Sequence, residues 1–249
     1  MRIHVVIPAY NERERLAGLV PRTVAAAPGP VWVVDDGSTD GSGDAAAALG
    51  ARRIRRPVRG GVGAAIRDGY RAALDAGAEI VVVMAGNGKD DPREIPRLTG
   101  PIERDKADIV QGSRYRRGGR SVRTPFHRRL GTGLIHPLLL SLICRRRFTD
   151  STNGFRAINA RILRDPRMRL DRSWLDRYEL EPYLLLRAVR LGYRVIEAPV
   201  SKIYPARGEA YTKMTAGPGW WSILRPLVFA GIGWPVGSSN NGRHQRSLS

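Results

Sequence analysis

The sequence predicts a three-layer α/β fold, in which a mostly parallel sheet lies between two layers of helices. Through residues 3 to 112, short apolar runs rich in β-branched residues alternate with segments of helical pattern. This alternation is typical of strands joined by crossover helices, which form parallel sheets. Polar clusters also follow the predicted strands, so they are expected to meet at one rim of the sheet, where such folds bind their ligands.

Each element follows from its local pattern. The predicted strands cover residues 3 to 7, 31 to 34, 53 to 56 (an edge strand), 79 to 84, 108 to 112 and 194 to 200. The predicted helices cover residues 12 to 27, 40 to 49, 63 to 76, 92 to 104, 130 to 143 and 180 to 191. Pro92 favours a helix start. The basic segment 113 to 129 contains glycine and lacks a period, which predicts a mobile loop, and residues 237 to 249 are predicted to form a disordered tail.

Length and charge limit the class of protein. A chain of 249 residues, 42% of them hydrophobic, can form one sizeable core, so one domain is expected over residues 1 to 236. The net charge of +19 favours anionic partners such as nucleotides, phosphorylated lipids or acidic membranes, although an arginine-rich composition alone explains part of it. The basic residues are scattered and accompany no nucleic-acid motif, so no specific nucleic-acid partner is expected.

Cysteine usage and hydropathy indicate the compartment. Cys144 is the single cysteine, which excludes an intrachain disulfide and favours a reducing environment. No apolar stretch reaches the roughly 20 residues that a spanning helix needs. Residues 219 to 237 come nearest, but Arg225 and Pro226 interrupt them. The prediction is a cytoplasmic protein with possible peripheral contact at the inner membrane face, where Trp220, Trp221 and Trp234 either anchor in the interface or pack onto the domain.

Four stretches, in this order and spacing, resemble glycosyltransferase family 2. They are VVIPAYNE (5 to 12), VVDDGSTDGS (33 to 42), GVGAAIRDGYRAALDAGA (61 to 78) and TDSTNGFRA (149 to 157). The likeness is strongest to dolichyl- or polyprenyl-phosphate sugar synthases, and it spans about residues 3 to 205. It implies the GT-A fold, with a nucleotide-sugar half to about residue 112 and an acceptor half from 113 to 236.

The resemblance also implies a donor site, built by the first half around a UDP- or GDP-sugar. Its expected residues are Pro8, Ala9, Tyr10, Glu12, Asp35 or Asp36 (for the base), Arg59, Gly61, Ala85, Gly86 and Asn87. Arg67 is a further candidate for added charge. Local structure is the alternative explanation for two of these motifs: Asn11 as a helix N-cap, and an Asx-turn with capping by Ser38, Thr39 or Asp40.

The stretch VVVMAGNGKDDP (81 to 92) departs from the family pattern. Relatives carry two aspartates that bind Mg²⁺ or Mn²⁺ at the diphosphate, whereas this chain has Ala85 and Asn87 at those positions. Because hard cations prefer charged oxygen ligands, a metal cofactor is in doubt. Either Lys89, with arginines of the 114 to 129 segment, replaces the metal, or Asn87, Asp90 or Asp91 holds one. A third reading is a catalytically inactive nucleotide-sugar-binding protein.

The second half is expected to bind the acceptor. The resemblance makes Asp150 the first candidate for a general base, followed by Glu179 and Glu181, for which helix capping is the alternative. Arg114, Arg116, Arg117, Arg156 and Lys213 are expected to bind acceptor or donor phosphate, because guanidinium binds phosphate bidentately. Lys202, Tyr204, Tyr211 and Lys213 form either a lid or a connector. His4, His127 and His136 are isolated, so a histidine metal site is not expected.

These observations predict an inverting glycosyltransferase that moves a sugar from a nucleoside diphosphate sugar to a polyprenyl phosphate, a glycolipid or another acceptor. A soluble small-molecule acceptor is the alternative within the enzyme class.

Overall fold

A computed structural model of the protein describes residues 1–124, 129–204 and 218–231. Seven strands form its central sheet, in the order β3-β2-β1-β4-β7-β5-β8. These are β1 (Ile3–Ala9), β2 (Val31–Asp35), β3 (Arg52–Arg55), β4 (Ile80–Val83), β5 (Ile109–Ser113), β7 (Arg156–Asn159) and β8 (Val195–Pro199). Only β7 runs antiparallel to its neighbours in this sheet. The predicted mostly parallel sheet is confirmed, with β3 at its edge.

Eight α-helices occur in the described part of the chain. They are α1 (Arg13–Ala26), α2 (Ser42–Ala48), α3 (Val62–Asp75), α4 (Ile95–Glu103), α5 (His136–Cys144), α6 (Ala160–Arg164), α7 (Leu180–Arg190) and α8 (Pro218–Gly231). A 3-10 turn, Pro92–Glu94, precedes α4, and the Asp91 side chain caps that turn by accepting a hydrogen bond from the Arg93 backbone. The predicted helix at 92 to 104 therefore forms, but its first turn is tighter. A π-helical turn, Gly131–Ile135, likewise precedes α5.

The core consists of two apolar layers, one on each face of the sheet. Alternate residues of a strand point to opposite faces, so Val5 and Ile7 of β1 pack with Leu16 and Leu19 of α1, while Val6 packs in the other layer. Side chains of α3 and α7 complete that second layer. The sheet is thus covered on both faces, as expected of parallel strands.

The predicted mobile loop at 113 to 129 is partly wrong. Arg114 is buried, and β6 (Arg120–Val122) pairs in parallel with β9 (Ser201–Ile203) as a small second sheet. These strands are too short to give a periodic signal in the sequence. Residues 125–128, which include His127, lie outside the described residues.

The stretch around Trp221 packs onto the domain. Helix α8 lies against α5 and α7, and its Ile223 and Leu227 are buried. Trp221 itself is half exposed. Trp234 and the tail at 237–249 lie outside the described residues, as does the side chain of Trp220. Nowhere in residues 1–124, 129–204 and 218–231 is a helix both long and apolar enough to cross a bilayer.

Candidate active site

A cavity of about 290 Å³ opens at the rim where β1, β2 and β4 end. The donor-side residues predicted from the sequence line it, with the exception of Asp35: Pro8, Ala9, Tyr10, Glu12, Asp36, Arg59, Gly61, Ala85, Gly86 and Asn87. Lys89 lines it as well. The structure therefore brings together residues separated by up to about eighty positions, because parallel strands place their carboxyl ends at one edge.

The loop after β1 and the loop after β2 are joined by hydrogen bonds at this rim. The backbone N–H groups of Asn11 and Glu12 donate to the hydroxyls of Ser38 and Ser42, at 3.0 and 2.8 Å. In return, the Asn11 side chain accepts from the Thr39 N–H at 2.9 Å. Local patterning suggested that Asn11 is the N-cap of α1, but the N-cap position is occupied by Glu12. The hydrogen bonds between the two loops fix Glu12 at the cavity.

The two aspartates at the end of β2 make different contacts. Asp35 Oδ1 accepts from the Ser38 N–H at 2.8 Å, a local contact that reaches three residues along the chain rather than the two of an Asx-turn. Asp36 lines the cavity, and its two oxygens accept from the N–H groups of Gly60 and Gly61, both at 2.8 Å. Asp36 is thus the one of the two aspartates that lines the cavity, and it also anchors the glycine turn.

The glycines of this turn accommodate the protein's own backbone. A Cβ on Gly63 would lie 2.0 Å from the Leu175 carbonyl oxygen, and one on Gly61, whose φ is +107°, would lie 2.4 Å from that of Asp176. Gly61 lines the cavity, whereas Gly63 does not. Arg67 does not line the cavity either, since its guanidinium binds the carbonyl oxygen of Arg172 and the carboxylate of Asp176.

Tyr10 and Arg59 form a flat pair at the cavity wall. The Arg59 guanidinium carbon lies 4.1 Å from the centroid of the Tyr10 ring. Both groups are planar, and guanidinium stacks well on aromatic faces. The pair therefore offers a surface on which a nucleobase can stack.

The turn at residues 85–91 is held from two sides. Gly86 lies so close to the end of β1 that a Cβ there would be 2.8 Å from the Pro8 carbonyl oxygen. On the other side, the Ile203 N–H donates to the Lys89 carbonyl at 3.0 Å. The Lys89 ammonium is 4.6 Å from the centroid of the Tyr204 ring, and the residue is only 6% exposed. Lys89 therefore faces the cavity from a fixed position.

The residues of this turn do not fit a divalent cation. Asp90 accepts from the Ala85 N–H through Oδ2 and from Lys202 Nζ through Oδ1. Asp91 points away to Arg93, whose hydrogen bonds hold the pKa of the Asp91 carboxyl below its ordinary value. The remaining donor at the turn is the neutral amide of Asn87, and hard cations prefer several charged oxygens. No group of three potential ligands among His, Cys, Asp and Glu occurs in the described ranges.

On the acceptor side, Asp150 is placed differently from the prediction. It is fully buried and does not line the cavity. Its carboxylate receives Arg114 Nε at 2.6 Å and Nη2 at 2.8 Å. Burial opposes the charge on Arg114, but the attraction of Asp150 outweighs it and raises the pKa of Arg114. Asp150 therefore positions Arg114, which does line the cavity.

Glu197, which sequence reasoning missed, fixes the backbone on which Asp150 lies. Its carboxylate accepts from the backbone N–H groups of Thr149 and Asp150, at 2.9 and 2.8 Å, and burial raises its pKa. The sequence does mark this residue, because Glu197 is the single acidic residue in the apolar strand RVIEAPV. A carboxylate buried in such a strand needs a hydrogen-bond partner.

The two glutamates before and in α7 differ in position. Glu181 lines the cavity and is held by Arg156, whose Nη2 lies 2.9 Å from its Oε1. Arg156 does not line the cavity, and its contact there is with Glu181, which it positions. Glu179 accepts from Ser222 Oγ at 2.7 Å and pairs with Arg225 at 2.9 Å. It connects α7 to α8 and does not line the cavity.

The remaining acceptor-side predictions separate into three groups. Arg116 and Arg117 are exposed and do not line the cavity. Lys202 and Tyr204 do line it, although they were predicted only as part of a lid or connector. Tyr211 and Lys213 lie outside the described residues. Cavity residues that sequence reasoning missed include Arg15, Thr132, Tyr178 and Ile223.

An exposed apolar stripe begins beside the cavity. Thr132 lines the cavity, and Leu134, Leu138 and Leu142, spaced by four residues, are 56%, 52% and 66% exposed. Such spacing places them on one face of the helix. Leu130, Ile135 and Leu139 are also exposed. We call these six residues the leucine stripe.

Known structures share this architecture and define the fold. Glucosyl-3-phosphoglycerate synthase from Mycobacterium tuberculosis, in complex with phosphoglyceric acid, matches with a TM-score of 0.68 at 24% identity, covering 92% of this chain and 79% of that chain. The same enzyme in complex with Mn²⁺, UDP and glucosyl-3-phosphoglycerate gives a TM-score of 0.67 at 22% identity, with the same coverage. The predicted GT-A fold is confirmed.

Sequence comparison gives the family. A family model described as glycosyl transferase family 2 matches residues 4–168. Undecaprenyl-phosphate mannosyltransferase of Micrococcus luteus is 34% identical over 226 residues, 87% of this chain and 89% of that protein. Polyprenol monophosphomannose synthase of Mycolicibacterium smegmatis is 32% identical over 244 residues, 94% of this chain and 87% of that protein. This chain belongs to glycosyltransferase family 2, and it is a glycosyltransferase.

Proposed function

We propose that this glycosyltransferase moves a sugar, with inversion, from a nucleoside diphosphate sugar to a polyprenyl phosphate at a membrane surface. The observation that carries the proposal is the leucine stripe, whose residues lie on both sides of the cavity residue Thr132 in the chain. Exposed apolar surface of this extent beside a polar cavity suits an acceptor with a charged head and an apolar chain. Relatives named for polyprenol and undecaprenyl phosphate support the same acceptor class.

The charge of the cavity supports a donor with a diphosphate. Five basic residues line it (Arg15, Arg59, Lys89, Arg114 and Lys202), against three acidic ones (Glu12, Asp36 and Glu181). An excess of positive charge in a partly enclosed cavity attracts polyanions. The Tyr10–Arg59 pair would stack on the base, and Lys89 would contact the diphosphate.

The placement of Asp150 agrees with a phosphate acceptor. A sugar hydroxyl needs a general base within hydrogen-bond reach, whereas a phosphate oxygen is already anionic and can attack directly. In the proposed reaction, the acceptor oxygen forms a bond to the anomeric carbon while the bond from that carbon to the diphosphate oxygen breaks. Arg114, fixed by Asp150, would hold the acceptor phosphate.

A transfer assay tests the proposal. Purified protein is incubated with radiolabelled UDP- and GDP-sugars, mannose donors included, and either undecaprenyl phosphate in detergent or 3-phosphoglycerate. We expect organic-extractable product from one donor with undecaprenyl phosphate. Product only with 3-phosphoglycerate would replace the lipid acceptor by a soluble one. Nucleotide-sugar binding without hydrolysis or transfer would support an inactive binding protein.

A further inference from the structure

Lys202 lies at the donor cavity in an unusual environment for a lysine. The side chain lines the cavity together with Asn87 and Lys89, yet the residue is only 7% exposed. Lysine is rarely so deeply buried unless its ammonium is paired. The hydrogen-bond partners of the Lys202 ammonium are therefore the evidence for its function.

The Lys202 ammonium joins the two halves of the site. Nζ donates to Asp90 Oδ1 at 2.7 Å and to Asn153 Oδ1 at 3.0 Å. Asp90 belongs to the turn that follows β4, and Asn153 to the loop that carries Asp150. An ammonium has three N–H donors, so two acceptors among the described residues leave it able to bind one more oxygen from the cavity side.

The backbone also fixes this lysine. Asp90 and Lys202 form an antiparallel β-bridge, and the next residue, Ile203, donates its N–H to the Lys89 carbonyl at 3.0 Å. The charge is thus positioned before any ligand binds. Preorganised charge of this kind is most effective where negative charge develops during a reaction.

The same turn lacks the acidic residues that a divalent cation needs. Ala85 has no ligand atom in its side chain, Asn87 is neutral, and Asp90 already binds Lys202. A cation at this place would also experience repulsion from the ammonium. The positive charges that line the cavity at this turn are those of Lys89 and Lys202.

We propose that Lys202, held by Asp90 and Asn153, binds the donor diphosphate in place of a divalent cation, so that nucleoside diphosphates bind without metal. The inference rests on the proposed function, since it names the group that meets the donor's diphosphate. When the sugar leaves, the diphosphate gains negative charge, and the ammonium stabilises it. Lys89, stacked on Tyr204, contributes a second charge.

Calorimetric titration with UDP and with GDP in EDTA-containing buffer tests this. Wild type is compared with Lys202→Met, which keeps the length of the side chain, and with Lys106→Met, which removes an exposed lysine that does not line the cavity. We expect wild type and Lys106→Met to bind one nucleotide without metal. Lys202→Met should bind it at least about tenfold more weakly, the usual effect of losing a hydrogen bond to a charged group. Affinity for the corresponding nucleoside should be unchanged.

A second variant separates binding from folding. Lys202→Met leaves Asp90 buried without its partner, which can destabilise the protein. In Asp90→Asn/Lys202→Met both charges are removed, and the thermal unfolding midpoint should return toward that of wild type while the nucleotide affinity stays low. Unchanged affinity in this folded double variant would overturn the proposal.

The metal dependence separates the two proposals. Wild-type binding that requires Mn²⁺ would overturn the role of Lys202 and leave the glycosyl-transfer proposal standing. No binding of either nucleotide, with or without Mn²⁺, would overturn both. Conversely, Ala85→Asp/Asn87→Asp/Lys202→Met should bind the nucleotide only with Mn²⁺, and equal binding of this variant in EDTA would contradict the substitution of lysine for metal.

Discussion

Arg114 and Asp150 form a bidentate ion pair that solvent barely reaches, with Nε 2.6 Å from Oδ2 and Nη2 2.8 Å from Oδ1. Arg114 also lines the cavity, so the pair connects the buried loop at 149–154 to the ligand site. A buried pair of this kind contributes more to geometry than to net stability, because desolvation offsets most of the attraction.

Asp150→Asn is expected to lower the free energy of unfolding by about 3 kcal/mol, because it leaves the Arg114 charge buried with a neutral partner. Urea denaturation measures this. Arg114→Met/Asp150→Asn should recover part of the loss, since no unpaired charge remains. A free energy of unfolding of Asp150→Asn near that of wild type would contradict the prediction, because it would show that Arg114 does not depend on the charge of Asp150.

The cavity carboxylate Glu181 is expected to contact the sugar of the donor. Glu181→Gln keeps an oxygen for Arg156 but loses the charge that strengthens hydrogen bonds from sugar hydroxyls. We expect the affinity for the nucleotide sugar to fall about tenfold, while the affinity for the free nucleoside diphosphate stays the same. Competition binding with both ligands measures the two quantities.

Glu179→Gln is the matched control for that prediction. Glu179 pairs with Arg225 and Ser222 and does not line the cavity. Its substitution should weaken the contact between α7 and α8 and lower the thermal unfolding midpoint, with nucleotide-sugar affinity unchanged. A reduced donor affinity in Glu179→Gln, but not in Glu181→Gln, would reverse the two assignments.

The donor side of the site could be predicted from the sequence because its residues follow strands with strong local patterns. β4 is a continuous apolar run and β1 is interrupted only by His4, and parallel pairing brings the loops after them to one rim. Family resemblance then identified Tyr10, Glu12 and Asn87 within those loops. Each step depended on residues close together in the chain.

The acceptor side depended on partners far apart in the sequence, which local patterns do not reveal. Arg114 and Asp150 are 36 positions apart, and Lys202 and Asp90 are 112 apart. A sequence gives the type of each residue but not its partner, so Asp150 was assigned as a base and Arg156 as a phosphate ligand. β7 was also missed, because its four residues, RAIN, are too short for a periodic signal.

His136 is expected to make stability depend on pH. It is the first residue of α5 and is fully buried where α5 contacts α8. Its Nδ1 lies 2.6 Å from Ser151 Oγ, and its Nε2 lies 3.0 Å from the Ile223 carbonyl oxygen. Burial lowers the pKa of His136, so the unfolded chain takes up a proton at a higher pH than the folded one. The free energy of unfolding should therefore fall as the pH drops below about 6.5, by at most about 1.4 kcal/mol per pH unit for this one proton.

Urea denaturation of wild type and His136→Gln between pH 7.5 and 5 measures this dependence. The variant should show a smaller slope, since it cannot take up the proton. His4, whose pKa burial also lowers, contributes its own slope, and His4→Gln reports that share. Equal slopes in wild type and His136→Gln would contradict this prediction, because they would show that His136 takes up its proton at the same pH in the folded and unfolded states.

The leucine stripe is expected to bind membranes without contributing to the fold. Leu138→Ser/Leu142→Ser should leave the thermal unfolding midpoint within about 2 °C of wild type, because substitutions at exposed positions change stability little. Sedimentation with vesicles of phosphatidylcholine and phosphatidylglycerol should show weaker binding of this variant. Transfer to undecaprenyl phosphate in vesicles should fall in parallel, while transfer to a short-chain, water-soluble polyprenyl phosphate should not.

Val24→Ser controls for the loss of exposed apolar area as such, since Val24 is an exposed residue of α1. It should sediment with vesicles as wild type does. If the stripe variant and Val24→Ser both behave as wild type, the stripe is not the membrane contact. If the stripe variant instead loses transfer to both acceptors equally, the stripe acts on the cavity itself, because Thr132 and Leu134 share the same π-helical turn.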